Sequence, residues 1–197
     1  MLSAGQERLV EQICEWMCDV VASNYAATIW EDVIRGEIVH RGLQAGWSFV
    51  LNRNTPRFDV TLRDGVVSEV PTNSQVIPGS NPDIRISAPD VLRAELKVRG
   101  RYGPGATLPV YKMDADFSEV MSGKAHVFFL AIDVDAFRTM RGGRAATLWN
   151  SELPDISALT ANQRCVVTSR NGTPTTTRAR IVHTPFGDRV VAAFHLP

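Results

Sequence analysis

The sequence predicts one mixed α/β domain. Two amphipathic helices come first, then a strand-rich centre with a crossover helix, then a tail of hairpins. Three observations carry that prediction. Apolar residues recur at helical spacing up to about residue 44. "DIRIS" and "LRAELKVR" alternate with period two. "HVFFLAID" is almost wholly apolar, as a strand covered on both faces is. With 197 residues the chain suffices for one well-buried domain and is short for two, so 1–197 is read as a single unit.

Ser3 and Gln6 have capping-box spacing. Leu9, Ile13, Met17 and Val20 follow at helical spacing, with Val10 and Val21 widening the stripe, giving a first helix over about 4–23. A second helix is expected over about 27–44, with Ile29, Trp30, Val33, Ile34 and Ile38 inward and Gly42 or Gly46 near its end. "WSFVLN" and "RFDVTLRDG" alternate as strands, the latter ending in the turn signal Asp64-Gly65. Residues 71–81 are loop-rich. After the strands around 84–99 and the glycine-rich basic loop "RGRYGPGATLP", Met113, Phe117, Val120 and Met121 predict a helix over about 113–123, stopped by Gly123. A strand, a helical crossover and a buried strand form a βαβ unit. Beyond about residue 162, Asn171-Gly172 and "PFGD" punctuate a three-strand meander.

The balance of charge is even, with net charge +0 and a pI of about 6.9, so any surface for a polyanion has to be local. Basic residues cluster after residue 92 (Arg164, Arg170, Arg178 and Arg180 in the tail among them), while the first two helices are acid-rich. That segregation is compatible with a basic cleft. No apolar run is long enough for a membrane span, and "MLSAGQERLVEQICEW" is not a signal peptide. With three cysteines, an odd count, the expected setting is a reducing cytoplasm. Cys14 and Cys18 share a helix face, but the scattered histidines supply no pair to complete a zinc site, and buried thiols are the simpler reading. The G-x-S-x-G, G-x-G-x-x-G and P-loop spacings are absent, as are cysteine-nucleophile signatures.

The chemistry-bearing stretch is "NPDIRISAPDVLRAELKVRG", residues 81–100. Asp83 opens one strand and Glu95 lies inside the next. Glu95 and Lys97 are two apart on a strand, so they share a face. The two carboxylates, with the carbonyl of Leu96 that lies between Glu95 and Lys97, form a donor set suited to Mg²⁺, which takes one or two protein carboxylates and keeps waters. Lys97 beside them can orient a water or contact a phosphate. Two further Pro-Asp dipeptides do not fit: Pro89-Asp90 is too close to Glu95 and reads as a turn, and no acid-x-Lys follows Pro154-Asp155.

"PD" at 82–83 followed by "ELK" at 95–97 resembles the PD-(D/E)XK nuclease superfamily, the restriction-endonuclease-like fold. The likeness extends to an αβββαβ order over roughly 27–135, with further N-terminal helix and the hairpin-rich tail (162–197) outside it. It implies a Mg²⁺-dependent nuclease, with Mn²⁺ able to substitute. In that reading Asp83 and Glu95 are metal ligands joined by the Leu96 carbonyl, and Lys97 is the catalytic amine. Some members add an acid from the first core helix. Glu37, bordering the apolar stripe, is the candidate; Glu31 lies further round and reads as solvated, and Asp59 is a weaker choice. Arg99, Arg101 and Tyr102, among glycines, read as a phosphate clamp with Lys112, and Lys124 is a further candidate for the same cleft. The expected substrate is DNA, cut by a homodimer in the setting of restriction, defence or mobile-element processing. The alternatives are a tRNA-cleaving toxin of the same fold and a non-catalytic relative that binds nucleic acid or protein.

Overall fold

The computed structural model describes residues 1–23, 31–50, 58–63, 66–71, 83–99, 119–120, 122–133, 163–168, 174–185 and 187–197. At 32, 58–63, 66–71, 99, 163–168 and 174–177 it describes the backbone alone. These residues form a mixed α/β structure: two helices and one mixed sheet of nine strands.

Helix α1 spans Ala4–Ala22 and opens on the predicted capping box: the Ser3 hydroxyl accepts from the Gln6 N–H, and the Gln6 side chain accepts from the Ser3 N–H. Its inward side carries Leu9, Val10, Ile13, Cys14, Met17, Val20 and Val21. Helix α2 spans Glu31–Gln44 and buries Ile34 and Ile38. Val33, expected inward, is 45% exposed; the buried stripe is narrower than the sequence suggests. Ile29 and Trp30 lie outside the described residues.

The strands are β1 (Ser48–Phe49), β2 (Phe58–Arg63), β3 (Val66–Pro71), β4 (Ile84–Ala88), β5 (Leu92–Arg99), β6 (Val127–Asp133), β7 (Gln163–Thr168), β8 (Pro174–Thr184) and β9 (Gly187–His195). Across the sheet they run β3-β2-β1-β4-β5-β6-β9-β8-β7. All neighbours are antiparallel except β5 and β6, which are parallel, as a crossover between them requires. Most of the expected crossover helix falls outside the described residues; its end turns at Gly123, whose φ of 75° is the left-handed stop the sequence predicts. Two registers bracket the predicted hairpin turns, Arg63↔Val66 around Asp64-Gly65 and Thr168↔Pro174 around Asn171-Gly172. Those turn residues themselves are not described. The β2–β3 hairpin enters the chain between β1 and β4 and extends the sheet past β1, so more strands precede the crossover than the three expected.

Both helices cover one face of the sheet. Helix α1 rests on β6, β8 and β9, and α2 on β1 and β5. One apolar cluster fills the layer between, including Phe49, Ile86, Leu96, Val98, Phe129 and Ala193. On the opposite face Phe128, Leu130, Ala192 and Phe194 are also buried, so β6 and β9 are covered on both sides. This is why "HVFFLAID" has no polar alternation.

Candidate active site

The β4–β5 register places the acids. Ile84 pairs with Ala94, so Asp83, one residue before the ladder, stands across from Glu95. There the Asp83 carboxylate replaces a backbone partner: its Oδ2 accepts the Leu96 N–H at 2.9 Å. A strand residue presents its N–H and carbonyl to the same edge, so the Leu96 carbonyl lies on the Asp83 side of β5 too. Glu95 is 8% exposed. Along the parallel ladder Glu95 neighbours Phe128 and Lys97 neighbours Leu130, so the two charges interrupt a face that is apolar on β6.

Helix α2 completes the arrangement. Lys97 Nζ donates to Glu31 Oε2 at 3.4 Å, with the lysine side chain 12% exposed. One turn along α2, Arg35 Nη1 is 3.8 Å from Asp83 Oδ1. Positions four apart share a helix face. One face of α2 therefore sets a carboxylate on the site's amine and a guanidinium on one of its acids.

The helix acid is not the one expected. Glu37 lies about 200° around the helix from Arg35. Its Oε2 accepts from Arg41 Nε at 3.3 Å, and Arg41 also reaches Asp19 of α1 at 2.8 Å. Glu37 shares the outward side of Val33, four residues earlier, so it braces the helix pair, away from Lys97. Glu31, expected to be solvated, is the acid at the site. The signal that would have found it is the spacing Glu31–Arg35 read against a stripe centred on Ile34 and Ile38.

Lys124 is also placed elsewhere. It pairs with Glu119 at 3.3 Å, and its neighbour Gly123 accepts from Arg93 through its carbonyl at 3.2 Å. Arg93 is near the start of β5, roughly 13 Å of strand from Lys97. Arg99 ends β5 just beyond Lys97, its side chain not described, and Arg101, Tyr102 and Lys112 lie outside the described residues, as does the side chain of Asp59. Pro89-Asp90 does lie between β4 and β5, as a turn should. The Asp90 carboxylate also sits against Gly5 at the start of α1, leaving no room there for a Cβ.

The segregated charge is partly consumed inside the protein. Arg178 of β8 reaches Glu7 at 3.6 Å and Glu11 at 3.4 Å, clamping the tail onto α1. Beside this clamp, burial pushes the Cys14 thiol up to about 12 and the Cys18 thiol to about 11, which makes both protonated packing groups. Among the described residues no three His, Cys, Asp or Glu side chains gather as a metal cage. A Mg²⁺ site of two carboxylates, a carbonyl and waters does not require one. Among them, too, no helix is long and apolar enough to cross a membrane.

No protein-family model, curated protein or solved structure matches the chain. The functional reading rests on the site's own geometry.

Proposed function

We propose that this protein is a Mg²⁺-dependent nuclease that hydrolyses phosphodiester bonds, with DNA as its substrate. The observation that carries the reading is the Asp83–Leu96 hydrogen bond. It ties Asp83, just before β4, to the Glu-Leu-Lys segment of β5, and the register sets Glu95 across from Asp83, which supports a shared site of Asp83, Glu95, the Leu96 carbonyl and Lys97. The strand arrangement supports it. β1, β4, β5 and β6 lie side by side in chain order, antiparallel twice and then parallel, as the strands of an αβββαβ core would, with the β2–β3 hairpin inserted.

The donor set suits a hard divalent cation. Asp83, Glu95 and the Leu96 carbonyl would hold it, and bound Mg²⁺ supplies charge stabilisation at the phosphate and a more acidic water. The protein's own groups do the rest. The Leu96 N–H orients the Asp83 carboxylate. Lys97 offers an ammonium to a non-bridging phosphate oxygen or to the attacking water. Glu31 holds that ammonium at one end of the face, so it is positioned before substrate arrives. Arg99, at the end of β5, and Arg101, Tyr102 and Lys112, which follow it in sequence outside the described residues, remain the proposed phosphate contacts. Cutting both strands of a duplex takes two such sites, hence the proposed homodimer.

The pairing of Lys97 with Glu31 and of Asp83 with Arg35 also favours a second reading. The charges neutralise each other across the α2–sheet contact, as they would in a relative that only binds nucleic acid or protein. One panel separates the readings: plasmid DNA, single-stranded DNA and tRNA, each with Mg²⁺ or with EDTA. The proposal expects Mg²⁺-dependent plasmid cleavage. Cleavage of tRNA alone assigns the site to RNA, and retarded migration without cleavage in any lane supports the binding protein.

A further inference from the structure

We propose that Arg35 is a phosphate-contact residue of this site: its guanidinium receives a non-bridging oxygen of the DNA strand that lies against Asp83. This rests on the reading of the site as a nuclease centre and adds to it a group of helix α2. Position comes first. Arg35 Nη1 stands 3.8 Å from Asp83 Oδ1, so a phosphate brought to Asp83 meets the guanidinium at the same place. The other carboxylate oxygen, Oδ2, takes the Leu96 N–H at 2.9 Å, which fixes the direction in which Oδ1 faces.

Exposure and charge agree with position. The Arg35 side chain is 38% exposed, against 23% for Asp83 and 12% for Lys97, so an incoming strand meets it first. Asp83, Glu95 and Glu31 bring three carboxylates to this region, and Lys97 is engaged by Glu31 at 3.4 Å. Those acids repel a polyanion, and Arg35 is the cation set against them at Asp83. Contact with a phosphate requires no displacement of the side chain. A guanidinium carries five N–H donors in a planar fork, so one part can face Asp83 while another receives phosphate oxygens. The same donors bind more strongly as negative charge grows on the phosphate during attack by water. One turn of α2 thus supplies both the acid that positions the amine and the donor that receives the phosphate.

The test is binding of a fluorescein-labelled duplex to the full chain, read by anisotropy in Mg²⁺ over a range of NaCl. Every protein carries Lys97→Ala, so that the duplex stays intact, and is checked for folding by circular dichroism. Adding Arg35→Gln should weaken binding about 3- to 10-fold and reduce the slope of log affinity against log salt by about 1. Arg35→Lys, which keeps the charge, should retain the slope. Arg41→Gln removes an equal charge where α2 meets Glu37 and Asp19, and should change neither quantity. An unchanged slope in Arg35→Gln, or an equal change in Arg41→Gln, overturns the contact. Plasmid cleavage by the otherwise wild-type chain in the same buffer decides the nuclease reading separately: a changed slope without cleavage keeps the phosphate contact and removes the nuclease. Absence of duplex binding together with absence of cleavage overturns both.

Discussion

The backbone N–H of Leu96 donates to the side chain of Asp83 at 2.9 Å, across thirteen residues of chain. The bond occurs one residue before β4 begins, where β5 continues, so a side chain supplies the acceptor a strand would have provided. It gives Asp83 a structural duty alongside its proposed chemical one, and the two are separable. Asp83→Ala should cost about 1–3 kcal/mol of stability by leaving the Leu96 N–H without this partner. Asp83→Asn, which keeps an acceptor oxygen, should cost less than half of that. Urea unfolding of the two variants checks this, and equal losses would show that the bond contributes little.

The two acids of α2 should behave oppositely. Glu31→Gln removes the carboxylate holding Lys97 and should reduce nuclease activity about 10-fold or more, since a positioned group loses its orientation. Glu37→Gln should leave activity within about twofold, because Glu37 faces Arg41 and Asp19. Initial rates on supercoiled plasmid at saturating Mg²⁺ distinguish them. A larger loss in Glu37→Gln would restore the helix acid expected from the sequence.

Much of the fold was legible in the sequence, for identifiable reasons. The capping box, the apolar face of α1, the buried "HVFFLAID" strand and the tail meander each follow from a local signal that the tertiary structure leaves intact. That the strands carrying Asp83 and Glu95 lie side by side was legible too, because a short turn joins them; the register that sets the two residues across from each other is seen only in the ladder. The helix acid was not. Val33 is apolar and periodic with Ile29, yet it is 45% exposed, and taking it as inward rotated Glu37 towards the sheet. The burial of Ile34 and Ile38 and the contacts Glu31–Lys97 and Arg35–Asp83, which bridge distant parts of the chain, set the helix rotation. Tail arginines were read as a surface for polyanions, but Arg178 is partly spent on Glu7 and Glu11. Charge content alone does not say which partners lie within the same molecule.

Two glycines of α2 give a matched test of that helix's packing. A Cβ on Gly42 would overlap the ring of Phe49, which is buried in the core. Gly42→Ala should therefore destabilise by about 1–3 kcal/mol. Gly36 has open space at its Cβ position, so Gly36→Ala should stabilise by up to about 1 kcal/mol through helix propensity. Thermal unfolding of both reads the difference, and similar shifts would mean that α2 does not approach Phe49 closely.

His126 introduces a dependence on pH. Its Nδ1 accepts the Arg93 N–H at 3.2 Å, with Gln6 Nε2 at 3.4 Å. Burial, and then the Arg93 charge, hold its pKa below the ordinary 6.5. The unfolded chain thus takes up a proton first as pH falls. Stability conferred by the neutral ring is complete above about 6.5 and is lost as pH falls from there through the lower folded value. His126→Asn, lacking a titrating ring, should show a shallower fall in urea midpoint between pH 7.5 and 5. Parallel curves for the two proteins would remove His126 from the acid response.

The central claim is that Asp83, Glu95 and Lys97 form a phosphodiester-cleaving site. The most direct measurement is the rate of plasmid relaxation by wild type and Lys97→Ala in Mg²⁺, with EDTA controls and unfolding curves to show that the variant is folded. The account predicts cleavage by wild type that EDTA abolishes and that Lys97→Ala lowers about 100-fold or more. Cleavage that persists in EDTA, or that a folded Lys97→Ala retains in full, would contradict it.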